Sequence, residues 1–311
     1  VMNEEKYPWL KLPSGVDFGS ASFLSSAEAE TAVQEARKQL LENGAVSFPG
    51  FLTDEAVQSA VEDLRSCEDQ AYTTDDVHTA YLKSVDHAKF SRDSVYNHEM
   101  KTVVASTAYD ELSSDSVLRS LYHDPRLLEL VSRIVDKKLY LSDDPLGCCS
   151  VNVFRPNFHH SFHFDESEFS VTLMLQPAED PKSGLFQFTS PLRENEEDLA
   201  LELTANAIHE HDPTSLNGKE LCERSTKSLK NNGNLPVLHT LDFQPGTLLV
   251  LAGSKSLHRV TRIKGNRSRL VAVLTFSRNP GFCNSESVQK MFWGRSKAPC
   301  QHVVARGVGM E

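Results

Sequence analysis

From about residue 139 onward, the apolar residues of this chain come in short runs that stop at proline or glycine. Ser150–Phe154, Ser170–Gln176, Leu185–Thr189, Val237–Phe243, Thr247–Leu251 and Arg269–Ser277 are all strand-sized. Pro181-Lys182-Ser183-Gly184 and Gln244-Pro245-Gly246 supply turns between them. Short strands spaced by tight turns pair antiparallel and must bury their apolar face against a second sheet. The pattern predicts a mainly β (α+β) chain with a jelly-roll, cupin-like core over about 139–280. Residues 193–235 break the rhythm: they are charged and contain Asp212-Pro213 and Asn231-Asn232-Gly233. They read as an insertion over one mouth of the barrel, partly helical at Glu196–Ile208.

The first part, about 1–138, reads as a helical layer. Ser25 and Glu28 have capping-box spacing, and Val33, Ala36, Leu40 and Leu41 follow a helical repeat that ends at Asn43-Gly44. Ala45–Phe48 is a short strand closed by Pro49-Gly50. Thr53 caps a second helix with Val57, Ala60, Val61 and Leu64 on one face. Asp124-Pro125 opens another, with Leu127, Leu128, Val131, Ile134 and Val135 on its apolar side. Residues 69–115 read as polar and irregular, and 281–311 as a C-terminal tail. The whole is expected to be one domain, 1–311.

Charge and cysteine content narrow the function. Lys and Arg number 32 against 43 Asp and Glu, a net charge of −11, which disfavours nucleic acid and anionic membrane as partners. No apolar run approaches the roughly 18 residues of a membrane span. Six cysteines without a C-x-x-C pair suit neither a disulfide framework nor a zinc finger. Reduced thiols, and an N-terminus without the basic and apolar regions of a signal peptide, give an intracellular, cytoplasmic expectation.

The segment with chemistry is Asn157-Phe158-His159-His160-Ser161-Phe162-His163-Phe164-Asp165-Glu166. His163 and Asp165, two residues apart on extended backbone, face the same way. By composition alone, 12 histidines and 19 aspartates in 311 residues give about 0.7 such pairs by chance, so the pair alone identifies nothing. Its context adds His258, which lies 95 residues later, just past an apolar strand. Two imidazoles and a carboxylate on one face of a metal, with three positions open, form the non-haem Fe(II) arrangement. Arg269 follows 11 residues after His258, at the start of the last apolar strand. A guanidinium pointing into a barrel needs an anion, and a carboxylate would suit it. The alternative is an edge-strand arginine facing water.

These residues carry a resemblance. His163-Phe164-Asp165 with the following run to Gln176, Gly184-Leu185-Phe186-Gln187, Pro245-Gly246, and His258-Arg259-Val260 with Gly265-Asn266-Arg267-Ser268-Arg269 resemble the Fe(II)/2-oxoglutarate-dependent oxygenases. Within these they look closest to the free-amino-acid hydroxylase and radical halogenase branch. Asn43–Leu52 is similar to the opening strand of such enzymes. The resemblance implies a double-stranded β-helix core, with Fe(II), 2-oxoglutarate as cosubstrate and O2. It implies His163, Asp165 and His258 as metal ligands, Arg269 on the distal carboxylate of 2-oxoglutarate, and His160 and Arg92 as further cosubstrate contacts. Two departures matter. Halogenases of this branch have a small residue where Asp165 stands, which disfavours halogenation. Gln187 stands where the family has glutamate, leaving any polar role there in doubt.

On the substrate side, Glu166 could hold an ammonium or be a solvated strand-end carboxylate. Trp293 could line the pocket or plug the core. Asn152 and Arg155 could reach a substrate carboxylate, with a surface ion pair as the alternative for Arg155. His209-Glu210-His211 reads as solvated loop. The implied function is hydrogen abstraction from an sp3 C–H of a small amino-acid-like metabolite, with hydroxylation as the outcome. The alternatives are oxidative ring closure or desaturation, such as kainoid-type closure on an N-substituted amino acid, and a non-catalytic jelly-roll binding module.

Overall fold

A computed structural model describes residues 27–195, 197–211 and 236–298. The first helix, α1 (Ala27–Asn43), ends at Gly44, whose φ of +82° turns the chain into strand β1 (Ala45–Phe48). Ser25 of the expected capping box lies outside the described residues. Helix α2 (Asp54–Arg65) is capped by the Thr53 hydroxyl, which accepts from Ala56 N–H at 3.3 Å. Strands β2 (Tyr72–Thr79) and β3 (Glu99–Thr107) follow, then α3 (Val117–Tyr122) and α4 (Pro125–Val135). Asp124 caps α4 by accepting from Arg126 N–H at 2.9 Å, with Pro125 at the first helical position.

The β region runs through β4 (Tyr140–Leu141), β5 (Cys149–Phe154), β6 (His160–His163), β7 (Ser170–Gln176) and β8 (Phe186–Thr189) to helix α5 (Leu201–His211). Strands β9 (Leu238–Thr240), β10 (Leu248–Leu251), β11 (His258–Val260), β12 (Arg269–Leu274) and β13 (Phe276–Ser277) and helix α6 (Glu286–Trp293) complete it. Two antiparallel sheets face each other. The larger has the order β1-β10-β7-β12-β5-β3-β2, the smaller β6-β11-β8-β9. This is the expected jelly-roll core. α1, α2 and α4 pack their apolar stripes (Val33, Leu40, Ala60, Leu64, Leu127, Ile134) into one core with the outer face of the larger sheet, including Val151, Val171 and Leu173. The opposite face, with Phe154, Met174, Leu249 and Val271, meets Phe186, Phe188 and Val260 of the smaller sheet.

Several expectations need correction. Residues 69–115 are not irregular: β2 and β3 pair in full register, Tyr72 opposite Ser106 through Thr79 opposite Glu99. β2 hides from a hydrophobicity pattern because it is a sheet edge with few buried side chains, and its Asp75 pairs with Lys101 at 2.9 Å. The C-terminal segment contains α6, capped by Ser285 and ended by left-handed Gly294. The strand expected at Val237–Phe243 is only Leu238–Thr240, and Thr275 interrupts Arg269–Ser277. The insertion helix begins at Leu201 and carries the backbone of His209-Glu210-His211, while 212–235 lies outside the described residues. Among the described residues, Cys67 and Cys149 are free thiols. Among the described residues no helix is long and apolar enough to cross a membrane.

Candidate metal and cosubstrate site

Strand pairing brings the site together. In the smaller sheet β11 lies beside β6 with His258 directly opposite His163, so two residues distant in the chain become cross-strand neighbours on one face. Asp165 follows His163 by two residues, so the backbone period of two returns its side chain to that face. Asp165 N–H donates to Gly253 O at 3.0 Å, which holds the chain there after β6 ends. The donor atoms of His163, Asp165 and His258 all lie within 4.8 Å of one another.

Atomic detail shows which nitrogens face the centre. His163 Nδ1 lies 2.8 Å from Ser161 O, and His258 Nδ1 lies 2.9 Å from Ser256 O. A carbonyl only accepts, so each ring carries its proton on Nδ1 and presents a bare Nε2. Each Nε2 stands 3.4 Å from Asp165 Oδ1. Two ligands about 2.1 Å from one ion at right angles would be about 3 Å apart, so the donor set fits a ferrous ion.

The electrostatics match a cation site. Burial alone would raise the Asp165 carboxyl, but His258 and His163 beside it hold it well below the usual carboxylate range. Burial and the neighbouring His258 lower the His163 imidazole. Burial also opposes charge on His258, but Asp165 outweighs it and raises that imidazole above 6.5. Without metal, His258 is therefore the ring that gathers a proton. Metal must displace that proton, so affinity for Mn(II) should be constant at alkaline pH. It should drop about tenfold per pH unit once pH falls below the raised His258 value. Calorimetric titrations between pH 5.5 and 8.5 check this; a flat profile would refute it.

Arg269 opens β12 and is 2% exposed. Its Nε has no hydrogen-bond partner among the described residues, and its guanidinium stands over the rings of Phe154 and Phe243 at 5.3 and 5.8 Å. Burial pulls its pKa down to about 9. An unpaired buried guanidinium is costly unless an anion comes to it. It lines the same cavity as the metal triad, of about 570 Å³. The lining of that cavity includes the buried Phe154, Phe243 and Leu249, the exposed Lys83 and Glu166, and the half-buried Phe292.

The remaining expected residues divide. His160 lines the cavity and stacks on His163 at 3.8 Å between ring centroids; burial, with the adjacent His163, drives its pKa well below 6.5, so it is neutral. Glu166, Asn152 and Trp293 also line the cavity. Asn152 Oδ1 accepts from Ser106 Oγ at 3.2 Å, and the Trp293 indole N–H has no partner among the described residues. Arg92 is exposed and does not line the cavity, because its turn precedes β3 on the protein surface. Arg155 is likewise outside it. Its guanidinium donates to Thr73 Oγ1 at 3.0 Å and to Glu68 O at 2.9 Å, so it ties the end of β5 to the segment that leads into β2. Gln187 accepts from Arg259 Nε at 2.9 Å and does not line the cavity.

One site residue was not foreseen. His78 on β2 lines the cavity, its ring 5.8 Å from that of His160 and 6.1 Å from that of His163. Its Nδ1–H donates to Thr79 O at 2.9 Å, and Nε2 accepts from Thr102 Oγ1 at 2.6 Å. Thr102 Oγ1 in turn accepts from Ser161 N–H at 3.0 Å, the residue whose carbonyl orients His163. Burial and His163 push the His78 pKa down to about 4. The signal in the sequence was the β-branched content of Tyr72–Thr79 (Thr73, Thr74, Val77, Thr79), which fits a strand with His78 and Thr74 on one face.

No family model matches the sequence, and no curated protein matches it. Solved structures do. The chain is similar to SnoN, a non-heme alpha ketoglutarate dependent epimerase from nogalamycin biosynthesis, at 12% identity over 79% of this chain and 80% of that one, with a TM-score of 0.50. It is also similar to HygX from Streptomyces hygroscopicus, solved with nickel, 2-oxoglutarate and hygromycin B, at 16% identity over 85% and 97% of the two chains, with a TM-score of 0.46. A Pseudomonas putida prolyl-4-hydroxylase aligns at 12% identity over 78% and 96%, with a TM-score of 0.44. The likeness to SnoN shows a shared fold, the double-stranded β-helix with its N-terminal helical layer.

Proposed function

We propose that this chain is a single-domain Fe(II)/2-oxoglutarate-dependent oxygenase that removes hydrogen from an sp3 C–H of a small amino-acid-like molecule and hydroxylates it. One observation carries the reading: a two-histidine, one-carboxylate cluster shares a cavity with a buried arginine that has no ionic partner among the described residues. His163, Asp165 and His258 would hold the iron, and Arg269 the far carboxylate of 2-oxoglutarate. Bound iron, with 2-oxoglutarate and O2, supplies the oxidant for the C–H bond, and 2-oxoglutarate leaves as succinate and CO2. The protein's part is placement. Phe154 and Phe243, whose rings stand beside the Arg269 guanidinium, keep water from it, which strengthens its pairing with a carboxylate. Neutral His160 and His78 add no positive charge beside the metal. The exposed Lys83 and Glu166 offer opposite charges in the cavity lining, which suits a substrate bearing both an ammonium and a carboxylate.

The test is turnover of 2-oxoglutarate to succinate by protein with Fe(II) and ascorbate across a panel of free and N-substituted amino acids. Succinate should form only with O2, and the product should gain one oxygen atom. A product lighter by two hydrogens would assign ring closure or desaturation. Metal and 2-oxoglutarate binding with no oxygen-dependent turnover would favour a binding module, and activity under strict anoxia would refute the oxygenase reading.

A further inference from the structure

We infer that Ser170 and Gly253 restrict Asp165 to a single metal-facing oxygen, and that this restriction keeps a coordination position free. The inference rests on the metal-site reading above. Asp165 is asymmetric: Oδ1 faces both Nε2 atoms at 3.4 Å, whereas Oδ2 accepts the hydroxyl proton of Ser170. Ser170 begins β7 directly opposite Leu251 of β10, and Gly253 is two residues beyond that partner. The paired ends of β7 and β10 therefore supply the Ser170 hydroxyl for Oδ2 and the Gly253 carbonyl for Asp165 N–H.

Gly253 has no positive φ, so its role is space, not conformation. A Cβ at this position would lie 2.7 Å from Ser170 Oγ and 2.9 Å from Asp165 Cβ, and in outright collision with Oδ2. Any side chain there would break the serine contact or turn the carboxylate. The same connector carries Ser256, whose carbonyl orients His258. The β10–β11 connection thus sets two of the three ligands.

The chemical consequence follows from counting positions on a six-coordinate ion. Two imidazoles and one carboxylate oxygen leave three positions, enough for a chelating keto acid and O2 together. A carboxylate swung to offer both oxygens leaves two, and a bound keto acid would then exclude O2. Ser170 is a positioning residue: it acts through Asp165.

The test uses Co(II) as the probe metal, because its visible spectrum reports coordination number, with 2-oxoglutarate titrated into the Co(II)-loaded protein by calorimetry. Wild type, Ser170→Ala and Ser170→Thr are compared, with melting curves to show that each is folded. Ser170→Ala should change the Co(II) spectrum from that of wild type both before and after 2-oxoglutarate is added, because the second carboxylate oxygen takes up a position on the ion. Ser170→Thr, which keeps the hydroxyl, should restore both spectra. An unchanged Co(II) spectrum in Ser170→Ala, both with and without 2-oxoglutarate, would overturn the inference. So would a folded Ser170→Thr that behaves like Ser170→Ala, since the hydroxyl would then not be the cause. Wild type that binds no Co(II) would instead overturn the metal site itself.

Discussion

Replacing Arg269 by leucine is expected to weaken 2-oxoglutarate binding to the metal-loaded protein by about two to three orders of magnitude while making the metal-free protein more stable. The first effect follows from removing one partner of a buried charge pair, which costs roughly 2–5 kcal/mol. The second follows from the state of Arg269 without a ligand. Its pKa falls from 12.5 to about 9, so the folded chain bears an unfavourable charge of up to about 5 kcal/mol at neutral pH. That penalty is present below pH 9 and fades as pH rises from there towards 12.5, where the unfolded chain holds the proton more tightly. Leucine removes the charge but loses the contacts with Phe154 and Phe243, so the net gain should be smaller, a few degrees in Tm. Lysine keeps the charge without the two-pronged geometry and should give intermediate 2-oxoglutarate affinity. Calorimetry and thermal melts measure both. A leucine variant that binds 2-oxoglutarate as wild type does would remove Arg269 from the site.

Replacing Asp165 by alanine should abolish metal-dependent stabilisation. For wild type, Mn(II) at about 100 times its Kd stabilises the folded state by about 2.7 kcal/mol, or roughly 4 °C in Tm for a chain of this size. Losing the only anionic ligand of the triad should weaken metal by about a thousandfold, and the Tm shift with it. A second consequence separates this from a general disturbance. Asp165 is what raises the His258 pKa, so without it burial prevails and His258 becomes neutral. The residual metal affinity of Asp165→Ala should then lose the steep decline on acidification expected of wild type. A variant that keeps the metal-induced rise in Tm would show that the three side chains do not share one ion.

The parts of the fold legible in the sequence are those governed by neighbours in the chain. Ser170–Gln176 forms a strand over the residues its apolar pattern marks, and the Asp124-Pro125 and Thr53 starts are real caps, because a cap depends on atoms two or three residues away. β2 was not legible because a sheet edge with polar side chains lacks a hydrophobic pattern; its pairing with β3 makes it a strand. His78 was hidden for the same reason, although it sits in the cavity beside the histidines. Arg155 lies near the site in sequence but its long side chain ends elsewhere, and Arg92, which only the resemblance suggests, lies far from the histidines in sequence and outside the cavity. Arg155 was captured by backbone carbonyls of the segment that leads into β2, and Arg92 stays in solvent.

What the amino-acid order determined by itself was the inventory: strand-sized apolar runs, a histidine and an aspartate sharing one face, and a second histidine and an arginine beside later strands. Those follow from backbone periodicity and turn chemistry, which act over a few residues. The register that sets His258 opposite His163, the burial of Arg269 with no counter-charge among the described residues, and the Ser170 hydroxyl on one oxygen of Asp165 were decided only by tertiary structure. Each depends on which strands lie side by side, and that is settled by packing two whole sheets together over a shared core.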